Sequence, residues 1–179
     1  MRSLLIAAIV LALPVVANAQ AAPAPMQAMP APTCAAIDAE LPPELAAWPK
    51  KIELTAATGV PGLDKAVLTP GQAYVATLAA TPDVTYVLQP EKPGGTVSKG
   101  GLFAIDVPAA GTYVIALGSG AWIDVLKGDG AQRSSGHGRG PACSTVRKMV
   151  SFDLQPGRYV VQISANAEPT LPILVALKP

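Results

Sequence analysis

Six residues in the C-terminal half carry side chains suited to holding a charged ligand: Trp122, Arg133, His137, Arg139, Arg147 and Lys148. Guanidinium and ammonium groups hold carboxylates and phosphates through charge-assisted hydrogen bonds, and an indole offers a flat apolar platform. Five of the six fall between 127 and 148, around a glycine-rich run in which His137, the only histidine of the chain, stands between Gly136 and Gly138. That stretch sets five basic residues against Asp129 alone, a net of +4. A surface of that sign would meet a carboxylate, a phosphate or an acidic glycan. The plainer alternative is a long solvated inter-strand loop, since no Gly-x-x-x-x-Gly-Lys-Ser/Thr phosphate cradle is present.

Each chemical role open to His137 requires partners. Ser134 and Ser135 stand too near it in sequence to read as a catalytic triad, and no carboxylate can be assigned to orient it. Asp124 and Asp129 as metal ligands would be guesses. No catalytic residue, metal site or cofactor is therefore read from the residues, and His137 is expected as a surface side chain. Trp122 lies in the apolar run 121–126; with two tryptophans and 4% aromatic residues in the chain, core packing is its expected role and a ligand platform the alternative.

The N-terminal stretch sets the compartment. Arg2, the apolar run 4–16 and Ala17-Asn18-Ala19 have the order of an export signal. Residues 1–19 are accordingly expected to be removed, with a periplasmic or secreted product starting near Gln20 and no retained membrane span. Without Arg2 the 13 basic residues become 12, which balance the 12 acidic ones, so nothing attracts nucleic acid globally. In an oxidising compartment an even cysteine count favours pairing, and two cysteines allow one connectivity, Cys34 to Cys143. There is no C-x-x-C and no cysteine–histidine cluster, so a structural bridge is expected.

The elements that would carry these residues are strands. Residues 20–32, rich in Ala and Pro, read as a disordered linker, and Met26 and Met29 within it are too few to suggest copper. A short helix is expected from Thr33, capped there and ending before Pro42-Pro43, followed by a further turn at 44–48 that brings Trp48 under a sheet as an apolar plug. From residue 50 onward short apolar runs alternate with turn residues. Strands are predicted near 66–68, 73–78, 84–88, 102–107, 113–117, 122–127, 146–154, 158–164 and 173–177. No helical pattern of a length to link parallel strands intervenes, which points to antiparallel pairing in a single sandwich over 33–179. Residues 105–117 echo residues 152–163: apolar-Asp-apolar, a turn with Pro and Gly, then Tyr and an apolar run. Two β-hairpins are predicted there.

Two resemblances attach to these residues. Leu68-Thr69-Pro70-Gly71-Gln72-Ala73-Tyr74 and Ala110-Gly111-Thr112-Tyr113-Val114 resemble the pre-peptidase C-terminal type of bacterial β-sandwich. That resemblance spans roughly 66–177 and implies a jelly-roll-like accessory module of exported proteins. Leu-Pro-x-Glu-Leu-x-x-Trp at 41–48 and Gly-x-x-Cys-x-x-x-Arg-Lys at 140–148 are similar to small exported proteobacterial proteins, some of which bear the name homogentisate dioxygenase. That name implies a non-haem iron held by two histidines and a carboxylate, where this chain has one histidine. The expectation is an exported, non-enzymatic β-sandwich of the bacterial envelope that meets an anionic glycan, lipid or protein partner through its basic loop. The alternatives are a metal-dependent enzyme and a purely structural envelope protein.

Overall fold

Residues 33–179 are described by the computed structural model of the chain; the export signal and the linker expected before them lie outside the described residues. Two β-sheets pack face to face. The strands are β1 (Lys51–Thr55), β2 (Ala73–Thr77), β3 (Ala79–Ala80), β4 (Lys99–Val107), β5 (Gly111–Leu117), β6 (Trp122–Lys127), β7 (Gly130–Ala131), β8 (Ser134–Gly138), β9 (Lys148–Leu154), β10 (Gly157–Asn166) and β11 (Thr170–Leu177). One sheet has the order β1-β2-β11-β5-β9-β8, the other β3-β4-β10-β6-β7. Neighbours run antiparallel except β1 and β2, which are parallel. The all-β sandwich expected from the sequence is thus the fold. Its core is the space between the sheets, where Phe103, Ile105, Tyr113, Ile115, Val125, Phe152, Tyr159, Val161, Ile173 and Val175 are buried together.

The parallel pair arises because the chain leaves the first sheet after β1. It runs through a 3-10 turn at Val60–Lys65 along the free edge of β4, touching it at Ala57–Leu102 and Val67–Ala104, and then returns to enter β2. The strand predicted at 66–68 is therefore reduced to a single bridge. These short contacts and β3 cover the β4 edge piecewise, which leaves little unpaired edge for another chain.

The two echoed segments are not hairpins. β4 belongs to one sheet and β5 to the other, and so do β10 and β9, so each echo is an arch that crosses between the layers. The arches interlock: Ile105 pairs with Tyr159 and Val107 with Gly157, while Phe152 pairs with Tyr113 and Leu154 with Gly111. Exchanging the two echoes leaves this set of pairs unchanged, an internal two-fold relation. The tyrosines play one role twice. Tyr113 Oη donates to Ala109 O at 3.0 Å and Tyr159 Oη to Gln155 O at 2.9 Å, each fastening its turn from beneath in the manner of a tyrosine corner. The aspartates repeat too: Asp153 accepts from Thr112 Oγ1 at 2.6 Å, and Asp106 faces Arg158 at 3.7 Å.

The predicted strand at 84–88 is absent. After a 3-10 turn at Thr81–Asp83 the chain lies across the outer face of β10, and the fully buried Gln162 takes the place of a strand partner. Its Oε1 accepts from Val87 N at 2.6 Å and Leu88 N at 3.2 Å, and its Nε2 donates to Leu88 O at 2.9 Å. A side chain here satisfies backbone groups that alternation alone would assign to a sheet.

The helix expected from Thr33 does not form; residues 33–42 are bends and turns, followed by one 3-10 turn at Pro43–Leu45. Asp38 has φ +59°, and its polar groups are drawn to the far segment. Asp38 N donates to Cys143 O at 2.9 Å, and its carboxylate accepts from Thr145 N at 2.7 Å and Thr145 Oγ1 at 2.6 Å. The Cys34–Cys143 disulfide is formed and joins the same two segments. Trp48 does plug the sheet, on its outer face: with Leu45 it is fully buried over Ala73, Val114, Ala116, Leu174 and Ala176. Small residues make the room for the ring, and its Nε1 donates to Thr145 Oγ1 at 2.8 Å.

Candidate functional site

The sandwich is open along one side, at the β6–β7 edge of the five-stranded sheet. β7 pairs only with Leu126 and Lys127, so Trp122–Asp124 forms the sheet edge beyond it. Opposite stand β8 and β9 of the other sheet. Between them lies a cleft of ≈ 340 Å³ lined by Trp122, Ile123, Asp124, Gln132, Ser134, His137, Lys148, Val150 and Phe152. Alternation places Ile123, Val150 and Phe152 toward the inter-sheet core, so they give the cleft an apolar floor continuous with it. The other six supply a polar rim.

Trp122 organises that rim. Its Nε1 donates to Asp124 Oδ1 at 3.0 Å, a contact that period-two alternation allows because both side chains leave β6 on one face. Two ammonium groups lie over the ring: Lys92 Nζ is 5.1 Å and Lys148 Nζ 5.4 Å from its centroid. Each is a cation–π contact. Lys148 is the first residue of β9 and reaches across the gap, donating to Ala121 O at 2.7 Å. Lys92 arrives on the loop that Gln162 anchors, and its own carbonyl accepts from the buried Ser164 Oγ at 2.8 Å.

The electrostatics are unsettled at this point of the fold. Burial lowers the pKa of the Lys148 ammonium, the Lys92 charge lowers it further, and Asp124 partly opposes both. Burial raises the pKa of the Asp124 carboxyl; the Trp122 indole opposes the rise, Glu91 adds to it, and the Gln162 amide and Lys148 oppose it. Asp124 Oδ2 is buried and accepts no hydrogen bond. Although the Gln162 amide is close enough to favour the charged carboxylate, its Nε2 is directed at Leu88 O.

The six residues singled out in the sequence divide among three places. Trp122, His137 and Lys148 line the cleft. Trp122 is half-buried there and does not belong to the core in which it was expected. His137 is exposed on β8, as expected, and faces Val150 in register. Arg139 and Arg147 line a separate shallow depression with Gly140, Pro141, Cys143 and Val146, while Arg133 is exposed and lines neither. The basic stretch is therefore not one patch. It is also less of a loop than expected, because β7 and β8 occupy part of it. Sequence reading missed Lys92 and gave Asp124 no role beyond a guessed metal ligand. The Trp-x-Asp spacing on one strand was the available signal for Asp124, whereas Lys92 had none, since only the tertiary course of its loop brings it to Trp122.

Comparison of the sequence with protein-family models and with curated proteins gives no match. The iron implied by the dioxygenase resemblance does not fit these residues: among the described residues no group of three or more His, Cys, Asp or Glu side chains is placed to hold a metal ion. Among them, too, no helix is long and apolar enough to cross a membrane.

Proposed function

We propose that this chain is an exported, non-enzymatic binding module of the bacterial envelope, and that it takes an anionic ligand in the cleft between β6, β8 and β9. The observation that carries the reading is the pair of lysines over Trp122. Two like charges held within 5.1 and 5.4 Å of one ring centroid repel each other, and an anion seated between them relieves the repulsion while gaining two charge-assisted contacts. The apolar floor and the few convergent polar groups are the usual make-up of a small-ligand site. The export-signal pattern at 1–19 and the Cys34–Cys143 bridge support an envelope address.

Calorimetric titration of the purified protein with a short galacturonate oligomer, glutarate and inorganic phosphate tests the cleft. Saturable binding of at least one of them is expected, weakening with salt and falling about tenfold or more in Lys148→Met, the scale of a lost hydrogen bond to a charged group. Binding that survives Lys148→Met and Lys92→Met but disappears in an Arg139→Met/Arg147→Met variant would move the site to the disulfide loop and sink the cleft reading. The address is tested separately: protein recovered from the periplasm or medium is expected to start near Gln20.

A further inference from the structure

We propose that the cleft selects hydroxy acids, acidic sugars in particular, by holding the ligand carboxylate at Lys92 and Lys148 and accepting a neighbouring ligand hydroxyl at Asp124. The inference rests on the anion reading above and adds the chemistry of what else the ligand must carry. An ionised carboxylate has about four acceptor positions, and the hydrogen bonds of Asp124 fill one, from Trp122 Nε1 at 3.0 Å. Its Oδ2 is buried and accepts no hydrogen bond. Such a group costs free energy in the folded chain, and it belongs to a residue that lines the cleft.

None of the chain's own donors nearby bonds Oδ2. Trp122 Nε1 is directed at Oδ1, Lys148 Nζ has Ala121 O at 2.7 Å, and Gln162 Nε2 has Leu88 O at 2.9 Å. A donor from outside completes the set, and the broad terminal torsion of an aspartate lets either oxygen turn toward it. The sign of the surroundings chooses the donor. A ligand ammonium would enter against Lys92 and Lys148, both already on the Trp122 ring, whereas a hydroxyl is neutral and meets no such penalty. A ligand with a carboxylate and hydroxyls on one sugar ring then meets the ammonium pair with one group and Asp124 with another. The C–H face of a sugar ring suits the floor made by Ile123, Val150 and Phe152.

The experiment compares three probes on the intact protein: a galacturonate oligomer, glutarate as a carboxylate without hydroxyls, and a neutral galactose oligomer. The acidic sugar is expected to bind about tenfold more tightly than glutarate, the worth of one hydrogen bond to a charged group, and to outbind the neutral sugar by more. Asp124→Asn and Asp124→Ala are expected to bring the acidic sugar to within about twofold of glutarate measured on the same variant; thermal melts of both variants establish that they fold. Equal affinity of the wild type for the acidic sugar and glutarate, or discrimination that persists in both Asp124 variants, overturns the inference and leaves the anion site standing. Failure of every anion to bind overturns the anion site itself.

Discussion

Asp124 is a residue whose charge works against the fold that holds it. Burial raises its pKa above the usual aspartate range, so the native state holds the proton more tightly than the unfolded chain does. The carboxyl's contribution to stability is then complete below the unfolded pKa and is lost as pH rises through the raised folded value. At neutral pH the desolvated charge weakens the native state. Asp124→Asn keeps the acceptor for Trp122 Nε1 and removes the charge, so it is expected to raise Tm at pH 7 by about 1–3 °C, an effect of less than about 1 kcal/mol because the group is partly solvated. The gain should shrink as pH falls through the raised folded value and be gone below the ordinary aspartate value of about 4. Melts at pH 7 and pH 3.5 check this; a variant that is less stable at neutral pH would show that the carboxylate stabilises the fold. A side chain whose charge the fold does not need is a common mark of a functional site. The same reading was out of reach in the sequence. Asp124 there is one of several aspartates in strand-like segments, and the groups that act on its charge include Gln162 and Lys148, 38 and 24 positions away.

At the scale of elements, the interlocked arches explain why repetition was legible and its meaning was not. Residues 105–117 and 152–163 show their shared pattern plainly, and every strand within them is found where the pattern put it. A Pro–Gly turn between two apolar runs fits a hairpin and an inter-sheet arch equally well, because local residues set the reversal of the chain and only the sheet partners decide the layer. The two-fold relation predicts equal roles for the two tyrosines. Tyr113→Phe removes one hydroxyl bond to a turn carbonyl; Tyr159→Phe removes its counterpart and also the bond its oxygen accepts from Gln155 N at 3.1 Å; each is expected to cost about 1–2 kcal/mol, Tyr159→Phe the more. Urea unfolding measures both. Loss in one variant alone would show that the arches are alike in pairing and unlike in energetics. The opposite kind of error occurred at 33–48. A cap residue and two acidic positions favour a helix locally, yet Asp38 donates to Cys143 and accepts from Thr145, more than a hundred residues on. Long-range partners overrode a weak local preference.

For the molecule as a whole, the segment 33–50 acts as a clasp laid on the outer face of the six-stranded sheet. Its contact is small and concentrated: Trp48 and Leu45 fill a space left by Ala73, Ala116 and Ala176, Trp48 and Asp38 both bond Thr145, and the Cys34–Cys143 bridge closes a loop of 109 residues. The inter-sheet core contains none of these side chains, so clasp and sandwich are separable in principle and coupled through Thr145 and the disulfide. Oxidised protein is expected to unfold in one step, with the Trp48 environment and the sheet signal lost together. Reduction removes the constraint on the unfolded chain, a loss of about 2–5 kcal/mol, and frees the clasp to open first. Trp48 fluorescence in a Trp122→Phe background, followed in urea beside far-ultraviolet dichroism, should then shift at lower denaturant than the strands melt. Coincident transitions after reduction would mean that Trp48 packing, and not the disulfide, holds the clasp. The Trp48→Ala variant separates the two contributions: with the bridge intact it should still lose about 3–5 kcal/mol if that packing is part of the global fold, and much less if the clasp opens on its own.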